Sequence, residues 1–125
     1  QQQRHDDLLG YFDQAVSAFY ADLAAHGMSD RVLIATWSEF GRRPKENASA
    51  GTDHGTSAPV LLMGDVVKGG FYGAAPSLTK LDTRGNLEYN VDFRSVYQEI
   101  LEGHLEVDAK EVFTQSFDKL AIFKA

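Results

Sequence analysis

Two side chains with metal-ligating chemistry stand next to each other at Asp53 and His54, inside Gly51-Thr-Asp-His-Gly55. A carboxylate oxygen and an imidazole nitrogen are good donors to zinc and similar divalent ions. Neighbouring ligands on an extended backbone diverge, so such a pair serves two metals, or one metal and one supporting contact. The flanking glycines let the backbone come close to an ion or an oxyanion. The plainer alternative is a polar loop in which Asp53 caps a turn and His54 is solvated.

A second group lies upstream, in Ser38-Glu-Phe-Gly-Arg42, directly after the apolar run VLIATW of residues 32–37. Ligands of parallel α/β sheets bind beyond the carboxyl ends of the strands, where this group falls. Glu39 is a candidate metal ligand or general base. Arg42 is a candidate bidentate clamp for an anionic oxygen. A surface ion pair would explain the same two residues, and Arg43 and Lys45 read as solvated charges. Thr52, Thr56 and Ser57 carry hydroxyls, but no strand-to-helix elbow surrounds them. They read as loop hydrogen-bonding groups. His5, His26 and His104 are isolated, with His26 expected near a helix C-terminus and His104 along a helix.

These groups need elements to hold them. Leu8, Phe12, Val16, Phe19 and Leu23 recur at three- and four-residue spacing, which predicts a helix over 6–26, with Asp6 and Asp7 at its start and Gly27 as its stop. Residues 32–37 and 59–63 (PVLLM) read as buried strands, and 38–58 as a long loop. A turn is expected at Arg84-Gly85-Asn86. Phe93, Val96, Tyr97, Ile100, Leu101 and Leu105 predict a second helix over 92–105, capped by Asn90 or Asp92, with an Asp92–Arg94 ion pair. The tail holds Val112, Phe113, Phe117, Leu120, Ile122 and Phe123, so it is expected to pack. Helix and buried strand in succession predict an α/β architecture with parallel strands.

Composition narrows the function classes. The net charge of −6 opposes nonspecific nucleic-acid binding, which needs a basic face. With no cysteine, disulfides, Cys-based zinc sites and thiol nucleophiles are excluded. No apolar run nears the roughly 18 residues of a membrane span.

The stretch RVLIATWSEFGRRPKENASAGTDHGTSAPVLLMG, residues 31–64, resembles the signature of the DUF1501 family, bacterial proteins of unassigned activity and sulfatase-like fold. The resemblance continues through Gly69-Gly70, Gly85-Asn86-Leu87 and Asp92-Phe93-Arg94, and leaves out about the last fifteen residues. It implies a partial alkaline-phosphatase-like parallel sheet flanked by helices. In that superfamily an Asp-His pair near a strand end binds a divalent metal, which implies zinc or manganese at Asp53 and His54. Glu39 and Arg42 match a family motif of unassigned role.

The family also carries an Asp-Thr-His motif before the first helix, and Gln1 stands after that place. The expectation is therefore a single partial domain over 1–125, the C-terminal portion of a larger one whose N-terminal part is its missing partner. The expected function is a fragment of a metal-dependent phosphate- or sulfate-ester hydrolase, inactive alone. The alternative is a non-catalytic module that self-associates as a homo-oligomer. Neither nucleic acid nor membrane is an expected partner. A periplasmic or secreted setting is implied by the resemblance alone.

Overall fold

A computed structural model describes residues 2–124 of the chain. It opens with helix α1, Gln2–Ala25, followed by short strands β1 (Ile34–Ala35), β2 (Gly41–Glu46), β3 (Thr52–Gly55) and β4 (Leu62–Met63), then helix α2, Phe93–Gly103. Single 3-10 turns stand at Ser29–Arg31 and Ala109–Glu111.

Helix α1 ends as Gly27 requires. Its φ of 63° lies in the left-handed region, which costs glycine little. Met28 N–H donates to Leu23 O and Gly27 N–H to Ala24 O, the paired bonds of a Schellman close. His26 meets the helix end as anticipated, its Nδ1 lying 2.8 Å from Asp22 O. The helix starts earlier than expected, so Asp6 and Asp7 fall outside its first turn. Asp7 instead accepts from Gln3 Nε2 at 3.2 Å.

The strands depart most from expectation. Residues 32–37 and 59–63 pair over only two residues each, and antiparallel, with Ile34 opposite Met63 and Ala35 opposite Leu62. Thr36 extends the pairing: its N–H donates to Leu61 O at 3.0 Å, and its hydroxyl oxygen accepts from Leu61 N–H at 2.8 Å. The segment between the two strands explains their direction. A parallel pair needs a crossover of a dozen or more residues, usually helical. Here the intervening chain folds into a hairpin of its own, β2 against β3, and returns β4 antiparallel. The loop expected over 38–58 is thus corrected to a β-hairpin. Both ladders among the described residues are antiparallel.

Helix α2 matches its expected span closely. Asp92 is its N-cap, accepting from Arg94 N–H, and Gly103 ends it, where a Cβ would lie 2.5 Å from the Phe123 ring. His104 stands just past the helix as its C-cap, not along it. The tail packs as expected. Gln98 holds Phe117 at both N–H and C=O, and the Glu99 carboxylate accepts from the N–H groups of Leu120, Ala121 and Ile122. Phe123 bridges antiparallel to Val67.

The core is small. Leu23, Val96, Ala109 and Ile122 are its buried apolar residues, whereas Leu8, Leu9, Phe12, Phe19, Trp37 and Phe71 are exposed. Most of the apolar stripe of α1 therefore faces outward, with Leu23 at its buried end, and the β1–β4 ladder is half-buried apart from exposed Ala35.

Candidate functional site

The β2–β3 hairpin carries the chemistry. Its strands pair in register at Gly41–Gly55, Arg42–His54 and Glu46–Thr52. Four residue steps on β2 thus face two on β3, which makes a bulge. Pro44 lies inside it, where a residue without an N–H is tolerated. Gly41 is buried, and a Cβ there would meet Ser57 O at 1.7 Å, so only glycine fits this crossing. Asn47 builds the turn: its Oδ1 accepts from Ser49 and Gly51 N–H, and Gly51 O accepts from Asn47 N–H at 2.8 Å. Ala50 takes the strained left-handed corner at φ 53°.

Alternation along β3 sends Asp53 and His54 to opposite faces of the hairpin. Asp53 lies in a polar web. Its Oδ1 accepts from Asn47 Nδ2 at 3.0 Å, and its Oδ2 is 3.9 Å from Arg43. Arg43 reaches further, donating Nε–H to Asn86 Oδ1 at 3.1 Å. Arg43 is thus half-buried and paired, a correction to its reading as a solvated charge. Asn86 is 5% exposed and donates to both carboxylate oxygens of Asp82 at 2.8 Å. Those bonds, the Asn86 side-chain amide first, hold the Asp82 carboxyl below its usual range. The expected turn at Arg84-Gly85-Asn86 is the loop that Asp82 closes, with Gly85 at φ 80°. Thr56 and Ser57 hydroxyls both donate to Leu87 O, at 2.8 and 2.9 Å. These are the hydrogen-bonding roles anticipated for them.

His54 lies against a ring. Phe40 stacks on it with centroids 3.6 Å apart and planes 16° from parallel. Across the hairpin, the Arg42 guanidinium lies 5.3 Å from the Phe40 centroid and donates to Thr52 O at 2.9 Å. The His54 ring is exposed, and among the described residues neither of its nitrogens has a hydrogen-bond partner. Glu39 is exposed and likewise makes no hydrogen bond or ion pair among the described residues. The hairpin therefore brings Arg42 and His54 together and turns Asp53 away from them. No group of three His, Asp or Glu side chains with metal-holding geometry occurs among the described residues. His5 lies exposed on α1, and the His104 ring is nearly parallel to Phe123 with centroids 6.4 Å apart.

The model of a family described as a protein of unknown function, DUF1501, matches residues 1–120. The chain belongs to the DUF1501 family. The match extends past the segments that carried the resemblance and takes in most of the packed tail. No curated protein and no solved structure matches the chain. In this DUF1501 chain no helix among the described residues is long and apolar enough to cross a membrane.

Sequence reasoning missed Phe40, Asn47 and Asn86. Asn47 carried a usable signal, an Asn opening a short run of small residues, which favours a side-chain-built turn. Asn86 stood in a segment already read as a turn. Phe40 had only its place between Glu39 and Gly41.

Proposed function

We propose that this DUF1501 chain is the C-terminal part of a larger sulfatase-like domain of the alkaline phosphatase superfamily, with a sheet completed by segments outside this chain. Its hairpin contributes His54 as a ligand, and Asp53 on the opposite face as a supporting contact or a ligand to a neighbouring metal, to a divalent metal site that acts on phosphate or sulfate esters. One observation carries the reading: His54 presents an exposed imidazole that is stacked in place and keeps both ring nitrogens unpaired among the described residues. Its neighbour Arg42 keeps guanidinium N–H groups beyond the one given to Thr52 O. That suits an oxyanion clamp. Glu39 is the accompanying base or ligand.

The donor types fit zinc or manganese, but their number is short. Catalytic zinc takes three protein ligands and an open position, and the two donors here diverge across a strand. The hairpin is one part of a coordination sphere, and other ligands come from the remainder of the domain. The chain alone is then a poor catalyst. The resemblance further suggests a periplasmic or secreted setting. An aryl phosphate and aryl sulfate assay with added zinc or manganese tests the proposal. We expect turnover near background from this chain, and metal-dependent turnover from the larger domain that drops at least about 100-fold in His54→Ala. Full activity in that variant would overturn it.

A second reading, a non-catalytic module that self-associates, draws on the exposed apolar surface. A groove of about 230 Å³ along α2, lined by Tyr97, Ile100, Leu101, Val112 and Phe113, adds to the outward stripe of α1. Surface of this kind marks contact with further protein. Sedimentation at micromolar concentration separates the readings. A monomer that binds zinc through His54 favours the metal site, and a stable oligomer indifferent to His54 favours the module.

A further inference from the structure

We infer that Phe40 is a positioning residue for His54: it sets the plane of the imidazole and so the direction in which the two ring nitrogens face. The inference rests on the metal-site reading above for its purpose, but its geometry stands apart from that reading.

A histidine on an exposed strand ordinarily moves among several side-chain rotamers. A ligand needs better, because a site works when its side chains are held by packing. Elsewhere in proteins a ligating histidine is usually oriented by a hydrogen bond from its second nitrogen. His54 has no such bond among the described residues, and the aromatic face of Phe40 stands in its place. Stacking fixes the ring without occupying either nitrogen, so both remain available.

Phe40 is itself held. Its carbonyl accepts from the Ser38 hydroxyl at 2.8 Å, and the next residue, Gly41, is pressed against the Ser57 carbonyl. The ring also lies 5.3 Å from the Arg42 guanidinium. Phe40 thus touches both residues that the hairpin register places opposite each other. A bystander aromatic at this position would owe nothing to His54, whereas a positioning ring makes His54 order depend on it.

The experiment uses the full chain and two readouts. The first needs no metal. The ring current of Phe40 displaces the proton resonances of the His54 imidazole from their positions in urea. We expect that displacement in the wild type, retention in Phe40→Tyr, and loss in Phe40→Leu. The wild type alone tests this point if the leucine variant fails to fold. His54 resonances at their urea positions in the native wild type would overturn the inference. The second readout is zinc affinity. Aromatic contacts of this kind change an equilibrium about threefold to tenfold. We expect Phe40→Leu to weaken His54-dependent zinc binding by that factor and Phe40→Tyr to restore it. Zinc affinity equal in wild type and Phe40→Leu, but reduced in His54→Ala, would overturn the positioning role. Affinity unchanged in His54→Ala would remove the metal reading instead, while the resonances still decide whether Phe40 orders the ring.

Discussion

The two faces of one short hairpin are held by opposite means. On the Asp53 face, Asn47 is hydrogen-bonded to Asp53, Asp53 pairs with Arg43 at ion-pair distance, and Arg43 is hydrogen-bonded to buried Asn86, which is hydrogen-bonded in turn to Asp82. On the His54 face, Phe40 stacks on an imidazole that is unpaired among the described residues, and Arg42, bonded to Thr52 O, lies over the same Phe40 ring. Directed bonds satisfy polar atoms and leave little donor capacity free. A stack orders a side chain and leaves its polar atoms open. The difference argues that the Asp53 face anchors the hairpin to the rest of the chain, while the His54 face is presented outward. The neighbouring residues Asp53 and His54, alike as candidate ligands in the sequence, have separate structural duties.

The strongest perturbation of this arrangement is at the crossing that both faces share. Gly41→Ala drives a methyl group into the Ser57 carbonyl. Overpacking of this order costs about 3 kcal/mol. We expect a lowered urea midpoint together with loss of both the Asp53–Asn47 contact and the His54 ring displacement. A stability equal to wild type would mean that the hairpin is not closed at Gly41.

Asn86→Ala separates the faces. It removes the buried amide that joins Arg43 to Asp82 Oδ2, a loss of about 2 kcal/mol, and leaves the backbone bond to Asp82 Oδ1 in place. Amide exchange is expected to quicken through 42–47 and 82–87 while the His54 resonances keep their displacement. Equal disturbance of His54 would show that the two faces are coupled and are not held independently.

Much of this was visible before the structure. The helices were legible because a stripe every three or four residues is a local signal, sharpened by Gly27 at one end and Asp92 at another. The hairpin was not, because its holding contacts are remote: Arg43 to Asn86, and Thr56 and Ser57 to Leu87. The bulge at Pro44 also erased the alternation by which a strand is recognised. Strand direction is not legible in the sequence, because VLIATW and PVLLM are apolar on both faces and carry no sign of polarity. What decides direction is the connection, and the β2–β3 hairpin in that connection carries no local strand signal. At the site, the residue types of Asp53 and His54 announced their chemistry, but Phe40 did not, since a lone aromatic most often means packing.

A smaller effect lies outside the hairpin and calibrates the others. Asp92 caps α2 and is 2.6 Å from the Arg94 guanidinium. The hydrogen bonds from the Arg94 side chain and N–H lower its pKa from 3.8 to about 2. A depressed folded-state pKa gives stability that is complete above 3.8 and fades as pH falls through about 2. Because the pair is partly exposed, the cap is worth only about 1 kcal/mol. Urea midpoints through that acid range should fall less steeply in Asp92→Asn than in wild type. Identical acid slopes would place the sensitivity in other carboxylates.

The most direct test of the account is a zinc titration of the full chain followed at the His54 ring resonances, with His54→Ala and Asp53→Ala in parallel. The two-faced hairpin predicts weak binding that moves the His54 signals, vanishes in His54→Ala, and is reduced but present in Asp53→Ala, since Asp53 faces away. Zinc binding of equal strength in wild type and His54→Ala, with the ring signals unmoved, would contradict it.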